Sequence, residues 1–282
     1  MTAQIIKNMP AEEYHALKRF SASGIKKILV SAQDFWKGSW MNPEPYKDES
    51  DAMNLGSAYH TRILEGEKAF MNTYAVPPEC DKRTKEGKAT YAAWSAINAN
   101  KKPIEEHLWK HIISAGERIE SDATLKDYFH GGDAEVTVLW DDESTGVPMK
   151  ARFDYIKQAK KKLNDLKTFS NSSGHDLERL IPTSIKKYKY HVQLAVYDEA
   201  YKMAFNEEPD ITLFFQQAGN VNNIVIKKFP QSTLMFQVGQ IEARKGVEKF
   251  AEMYRKFNTN QWFDDIIIGP LKDEDFPAWA YD

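Results

Sequence analysis

Apolar residues along this chain switch between a period of two and a period near 3.6, and the switches mark out its elements. The β-branched and apolar residues of Ala134 to Trp140, the turn residues Asp141 to Gly146 and the run Val147 to Ile156 predict a β-hairpin. Asp154 then sits near the far end of the second strand. After the polar connection 159–164, Asp165 to Phe169 reads as a short third strand, so Asp165 and Lys167 point to one face and Leu166 to the other, into a core. Asp210 to Gln216 and Asn222 to Phe229 predict two more strands.

Helical periodicity accounts for most of the rest. A short helix is expected over Ala11 to Arg19, and a second run, Ile25 to Val30, follows Ser21 and Ser23. Those serines are helix-cap residues first; beside the free N–H groups of a helix start they are also candidates for holding a phosphate. Ala52 to Glu65 predicts a helix carrying Gly56 and His60 on one face. Ala89 to Asn98 and Ile104 to Ser121 predict a helical insert covering one side of the sheet, with Trp94, Leu108, Trp109, Ile112 and Ile119 as core residues. Ser170 to Pro182 reads as a polar loop, Thr183 to Phe205 as one long helix, and Thr233 to Phe257 as a final amphipathic helix before an aromatic and acidic tail. Gln193 and Tyr197 lie one turn apart in an aromatic stripe with Tyr190 and Tyr201, where a buried glutamine needs hydrogen-bond partners. No internal repeat or low-complexity linker interrupts the chain, and residues 1–282 read as one domain.

Composition narrows the chemistry. With 282 residues and 42% hydrophobic content the chain supports a real core. Cys80 is its one cysteine, which excludes an intrachain disulfide, a cysteine-rich zinc site and a four-cysteine iron–sulfur cluster, and favours a reducing, cytoplasmic setting. No apolar run reaches the length of a membrane span, and the N-terminus lacks a signal-peptide pattern. A net charge of −3 gives no global pull toward nucleic acid, so DNA binding would fall to local basic runs at Lys82 to Lys88, Lys157 to Lys162 and Lys186 to Lys189.

Candidate chemistry gathers around the predicted strands. Asp154 and Asp165 on adjacent strands suit a hard divalent cation, with the Leu166 carbonyl as a further oxygen ligand. A lysine beside such an ion can orient water and neutralise charge growing on a phosphate.

In chain order Gly56-x-x-x-His60, Glu135, Asp154, Asp165-x-Lys167 and Gln193-x-x-x-Tyr197 resemble the RecB-like branch of the PD-(D/E)xK nucleases. Local sequence, above all LGSAYHTRILE, DKRTKEGK, DLKTF and YKYHVQLAVYDEAY, looks like the RecE-type nuclease domain, the phage and prophage exonuclease VIII. EEYHALKRFSASGIKKIL and FPAWA extend the resemblance over nearly the whole chain, which would be the nuclease module without the large N-terminal extension of longer RecE proteins. The resemblance implies an α/β fold with a five-stranded mixed sheet flanked by helices. It implies His60, Asp154, Asp165 and the Leu166 carbonyl as metal ligands, with a lesser role for Glu135. Lys167 would be the catalytic lysine, and Gln193 and Tyr197 would support the site. Ser21, Ser23, Arg62, Lys82, Arg83, Lys85 and Lys88 are the candidate DNA contacts. The implied cofactor is Mg²⁺, with Mn²⁺ tolerated and two ions per site. The implied activity is 5′-to-3′ digestion of linear double-stranded DNA, leaving 3′ single strands for a RecT-type annealing protein, by a trimeric or tetrameric ring in the cytoplasm of a bacterial host. A nuclease of other polarity, an endonuclease and a catalytically idle DNA-binding subunit are the alternatives.

Overall fold

The strands predicted from alternation form the middle of one sheet. The computed structural model describes residues 3–46, 51–219, 221–266 and 269–275. In chain order β1 (Gln4–Ile6), α1 (Ala11–Ala16), β2 (Phe20–Ser21), α2 (Ala22–Ile28) and α3 (Ala32–Lys37) come first. Next, α4 (Asp51–His60) runs into a π-turn at Thr61–Glu65, followed by α5 (Glu67–Thr73), β3 (Tyr74–Ala75), α6 (Lys85–Ile97), β4 (Lys102–Pro103), α7 (Glu106–Ser121) and α8 (Ala123–Lys126). Then come β5 (Asp133–Asp141), β6 (Pro148–Lys157) and β7 (Lys162–Phe169), α9 (Leu177–Lys187) and α10 (Tyr190–Phe205), β8 (Asp210–Gln217) and β9 (Ile224–Lys228), and the long α11 (Leu234–Phe257).

The sheet runs β1-β5-β6-β7-β8-β9, with β2 parallel alongside β6. The five expected strands are present, and two short N-terminal strands extend them. β7 and β8 are parallel and joined through α9 and α10; the other neighbours along that order are antiparallel. On one face α2, α3, α10 and α11 bury the main core around Phe20, Phe153, Tyr201, Phe215 and Phe250. On the other, Leu64, Ile119, Leu166 and Phe214 pack under α7 and the π-turn.

The predicted single helix from Thr183 to Phe205 is two helices. Lys189 adopts a left-handed conformation at φ 52° and turns the chain between α9 and α10. Conversely, helix begins inside the predicted loop: the Asp176 side chain caps α9 by accepting from the Glu178 N–H, and Pro182 sits within the helix. Ile112 and Ile119 are buried as expected, whereas Trp94 is only half-buried, on a helix whose one fully buried residue is Gly87.

Two features shape the site. Pairing between β6 and β7 covers Tyr155 to Lys157 against Lys162 to Asn164, after which the strands splay into a fork. At the same level Glu135 has φ 54°, a strained conformation for a residue with a side chain, and Glu135 and Asp154 drop out of an otherwise continuous β5–β6 register. The alternation inverts there: Phe153 and Ile156, three apart, both face the main core, while Tyr155 joins the opposite one.

Candidate active site

The fork collects the polar groups. Asp154 Oδ2 accepts the Leu166 N–H at 2.8 Å, so a carboxylate takes the place of a strand–strand carbonyl. Asp165 and Lys167, on one face of β7, are paired at 2.5 Å, and Lys167 Nζ lies 3.9 Å from Asp154 Oδ2. Lys167 also donates to the Leu166 carbonyl at 3.3 Å. From the opposite side α4 delivers His60, whose Nδ1 is 3.9 Å from Asp154 Oδ2. That approach uses Gly56, where a Cβ would stand 3.2 Å from Thr168 Oγ1 of β7. The π-turn begins at the residue after His60, and such irregularities are common at functional sites.

α10 closes the site from above. Gln193 Nε2 lies 3.2 Å from Asp165 Oδ1 and 3.1 Å from the Tyr197 hydroxyl, partners for a half-buried glutamine in the aromatic stripe. Its Oε1 accepts from Lys26 Nζ of α2 at 2.9 Å. The Lys26 and Lys167 ammoniums lie 5.4 and 5.3 Å from the centre of the Tyr190 ring.

Charge is out of balance in this fork. Burial pushes the Asp154 carboxyl up, and burial pushes Asp165 up to about 6 against the pull of Lys167. Burial and then the Asp154 charge push Glu135 up, although Arg152 is in close contact with it. Burial and then Lys167 lower His60 to about 4, so its imidazole is neutral at pH 7 and free to act as a ligand. Burial draws Lys167 down, but Asp165 and Asp154 outweigh it and hold the ammonium. Burial and the nearby Lys167 lower Lys26 to about 7.

A divalent cation fits this donor set. Among the described residues, ligand atoms of His60, Glu135 and Asp154 lie within 4.8 Å of one another, one neutral nitrogen and two carboxylates that burial alone makes costly to ionise. Glu135, given the lesser part from sequence, therefore stands in the cluster, while Asp165 is engaged by Lys167 and Gln193.

The expected DNA contacts fare differently. Arg62 is fully buried and gives both terminal nitrogens to Glu120, at 2.6 and 3.0 Å, packed against Gly116 of α7; it is a structural cation rather than a DNA contact. Ser21 caps α2 by accepting from the Gly24 N–H, and Ser23 is exposed in the first turn. Lys82, Arg83, Lys85 and Lys88 are exposed on the loop before α6 and its first turn, with Arg83 bonded to Asp81 and Lys82 3.6 Å from the Tyr91 ring centre. Acidic partners meet lysines of the other two basic runs: Asp127 pairs with Lys157, Lys160 and Lys162, and Glu242 with Lys186 and Lys189. Sequence reading missed Lys26 and Arg152. Lys26 lies in the apolar-periodic run Ile25 to Val30, where a lysine beside Lys27 reads as solvated; Arg152 is two residues before Asp154 and could have been found by the strand period.

Known proteins bear on this geometry in two ways. Residues 21–260 match the family described as a PDDEXK-like domain of unknown function (DUF3799). The fold is similar to the crystal structure of a candidate exonuclease from Eubacterium rectale, with a TM-score of 0.57 at 16% identity, over 97% of this chain and 99% of that one. No curated protein matches the sequence.

Proposed function

This chain belongs to the PDDEXK-like DUF3799 family, and from that premise we propose that it is a metal-dependent exonuclease digesting linear double-stranded DNA from the 5′ end. One observation carries the reading: Lys167 Nζ is held between Asp165 at 2.5 Å and Asp154 at 3.9 Å, beside the His60, Glu135 and Asp154 cluster. Those three residues would hold the cation, Mg²⁺ in this reading with Mn²⁺ tolerated, and Asp165 with the Leu166 carbonyl would supply oxygen ligands to a second ion. A divalent ion bound there supplies Lewis acidity toward a phosphoryl oxygen and acidifies a water.

The chain's own groups do the rest. Lys167 remains an ammonium at neutral pH because two carboxylates face it, so it acts as a charged donor to the phosphate rather than as a base. Its strength is directional, since β7 and both carboxylates fix Nζ before substrate arrives. Gln193 holds Asp165, and Tyr197 anchors Gln193 in turn. Burial, then Asp154 and Asp165, keep the Tyr197 phenol protonated, so its hydroxyl serves as a hydrogen-bonding group throughout.

The resemblance to RecE-type nucleases supports the 5′-to-3′ polarity, a RecT-type annealing partner and a closed ring of identical subunits as parts of the same proposal. Linear duplexes labelled at the 5′ or the 3′ end, incubated with Mg²⁺ or with EDTA, test it. Early release of the 5′ label with Mg²⁺ alone is expected. Early release of the 3′ label would reverse the polarity, and internal cutting of closed circles would replace the exonuclease reading with that of an endonuclease.

A further inference from the structure

We propose that Lys26 is a positioning residue that sets the direction of the Gln193 carboxamide and thereby keeps its N–H edge on Asp165. A carboxamide has one acceptor end and one donor end of nearly equal shape, and neighbours decide which way it points. At Gln193 the choice has chemical consequences. With Nε2 toward Asp165 Oδ1, at 3.2 Å, it donates to a buried carboxylate. Turned over, its carbonyl oxygen would face that carboxylate and its NH₂ would face the Lys26 ammonium, placing acceptor against acceptor and donor against donor. As an ammonium, its form below about pH 7, Lys26 has no acceptor, so at 2.9 Å from Oε1 it permits one direction only. The Tyr197 hydroxyl both donates and accepts and discriminates neither way, which leaves Lys26 and Asp165 as the pair that fixes the amide.

Lys26 is itself held rigidly. Ala22, Gly24, Ile25 and Ile28 of α2 are buried, and Ile25 presses on Gly246 of α11 so closely that a Cβ there would overlap its side chain. The Ser21 cap fixes the first turn of the same helix. α2 therefore joins the sheet, through β2, to the amide that supports the active carboxylate. Its role at the site is exerted through Gln193 and requires no contact with substrate.

The kinetic arm of the test rests on the nuclease reading; the spectroscopic arm does not. In protein labelled with ¹⁵N at glutamine side chains, the Gln193 NH₂ resonances, assigned by their absence in Gln193→Ala, should exchange slowly with solvent in the wild type and in Lys26→Arg, which keeps a donor-only side chain. They should lose that protection in Lys26→Met at an unchanged melting temperature; protection that persists in Lys26→Met overturns the proposal. In metal-dependent digestion, Lys26→Met should lower kcat about tenfold, the scale of one hydrogen bond to a charged group, with KM little changed. In the Gln193→Ala background the same change should have no further effect. Losses that multiply in the double variant, or a loss confined to KM that steepens with salt, would mean that Lys26 contacts DNA directly and would overturn the inference. If the wild type cuts no DNA, the nuclease reading fails while the exchange measurement still decides the role of Lys26.

Discussion

Lys167 sits between two buried carboxylates, and its removal is expected to act on rate before affinity. Lys167→Ala should cut digestion by about 10²-fold or more, the scale of losing one preorganised donor to a developing anion, while leaving Mn²⁺ binding detectable by calorimetry. Activity at the wild-type rate would remove this lysine from the chemistry. Glu135 makes a different prediction, because the structure brings it into the cluster with His60 and Asp154. Glu135→Gln should weaken Mn²⁺ binding by at least about tenfold, the scale on which losing even a group that supports a ligand lowers affinity. The pH dependence of metal binding follows from the same groups. Glu135, Asp154 and Asp165 all have carboxyls raised by burial, Glu135 of the cluster to about 7 and Asp165 to about 6. Protons therefore compete with the cation as pH falls through about 7 to 6, and affinity should drop between pH 8 and pH 5, with protons released on binding in that window. His60, lowered to about 4, does not compete in that window. Isothermal titration in two buffers of different ionisation enthalpy measures the release; equal heats at pH 6 would contradict the raised carboxyls.

Period and turn chemistry made the hairpin, Asp165 to Phe169 of β7 and the α11 span legible, although β7 begins at Lys162, inside the polar run expected to connect the strands. What escaped lies where local pattern and tertiary structure part. Nothing in Ala134 to Trp140 signals that Glu135 leaves the ladder at φ 54°, because a strained residue is held by its surroundings and not by its neighbours in sequence. Pro182 read as a breaker but sits in α9, and the break came instead at Lys189, a residue with no special preference for that conformation. Asp154, Asp165 and Lys167 could be placed together from strand period alone, whereas Lys26 reached the site through the packing of α2 on α10 and α11, which no periodicity encodes. That packing depends on close approach at glycine. A Cβ at Gly239 of α11 would strike the His191 carbonyl of α10, a backbone atom that cannot yield. Gly239→Ala should therefore destabilise the protein by about 1–3 kcal/mol, the usual penalty for overpacking, despite alanine's better helix propensity. Urea denaturation checks this; an unchanged midpoint would mean the two helices can separate without cost.

Across the whole molecule, residues far apart in sequence close the fold. For Trp262 the sequence leaves packing on a neighbouring subunit and packing on its own domain equally open; it is fully buried in its own chain, with ring centres 5.5 Å from both Phe35 and Phe250. Phe276 and Trp279, for which the same two alternatives stand, and Asp282 of the acidic tail lie outside the described residues. Two residues on, Asp264 accepts from Ser31 Oγ at 2.5 Å and from the Ala32 and Gln33 N–H groups, supplying the start of α3 with a cap from over 230 positions away. Burial would raise its carboxyl, but these bonds outweigh burial and hold it at about 2. Its folded pKa lies below its unfolded one, so its contribution is present above pH 4 and is lost as pH falls through about 2. Asp264→Ala should cost about 1 kcal/mol at pH 7, typical of a lost cap, and the difference from wild type in thermal melts should vanish near pH 2. A constant difference would assign the loss to packing. The proposed ring is tested separately: light scattering should give a trimer or tetramer mass, and excess unlabelled duplex should not halt digestion in progress. A monomer that stops at once would remove the ring and leave the nuclease intact. The Asp264 clasp also bears on biosynthesis. α3 lacks this cap, and Phe35 lacks Trp262, until the last part of the described chain has left the ribosome. α2, which carries Lys26, likewise waits for α10 and α11. The nascent chain can therefore hold Lys26 against Gln193 only once α11 has emerged, well after the strands that carry Asp154, Asp165 and Lys167 have been made.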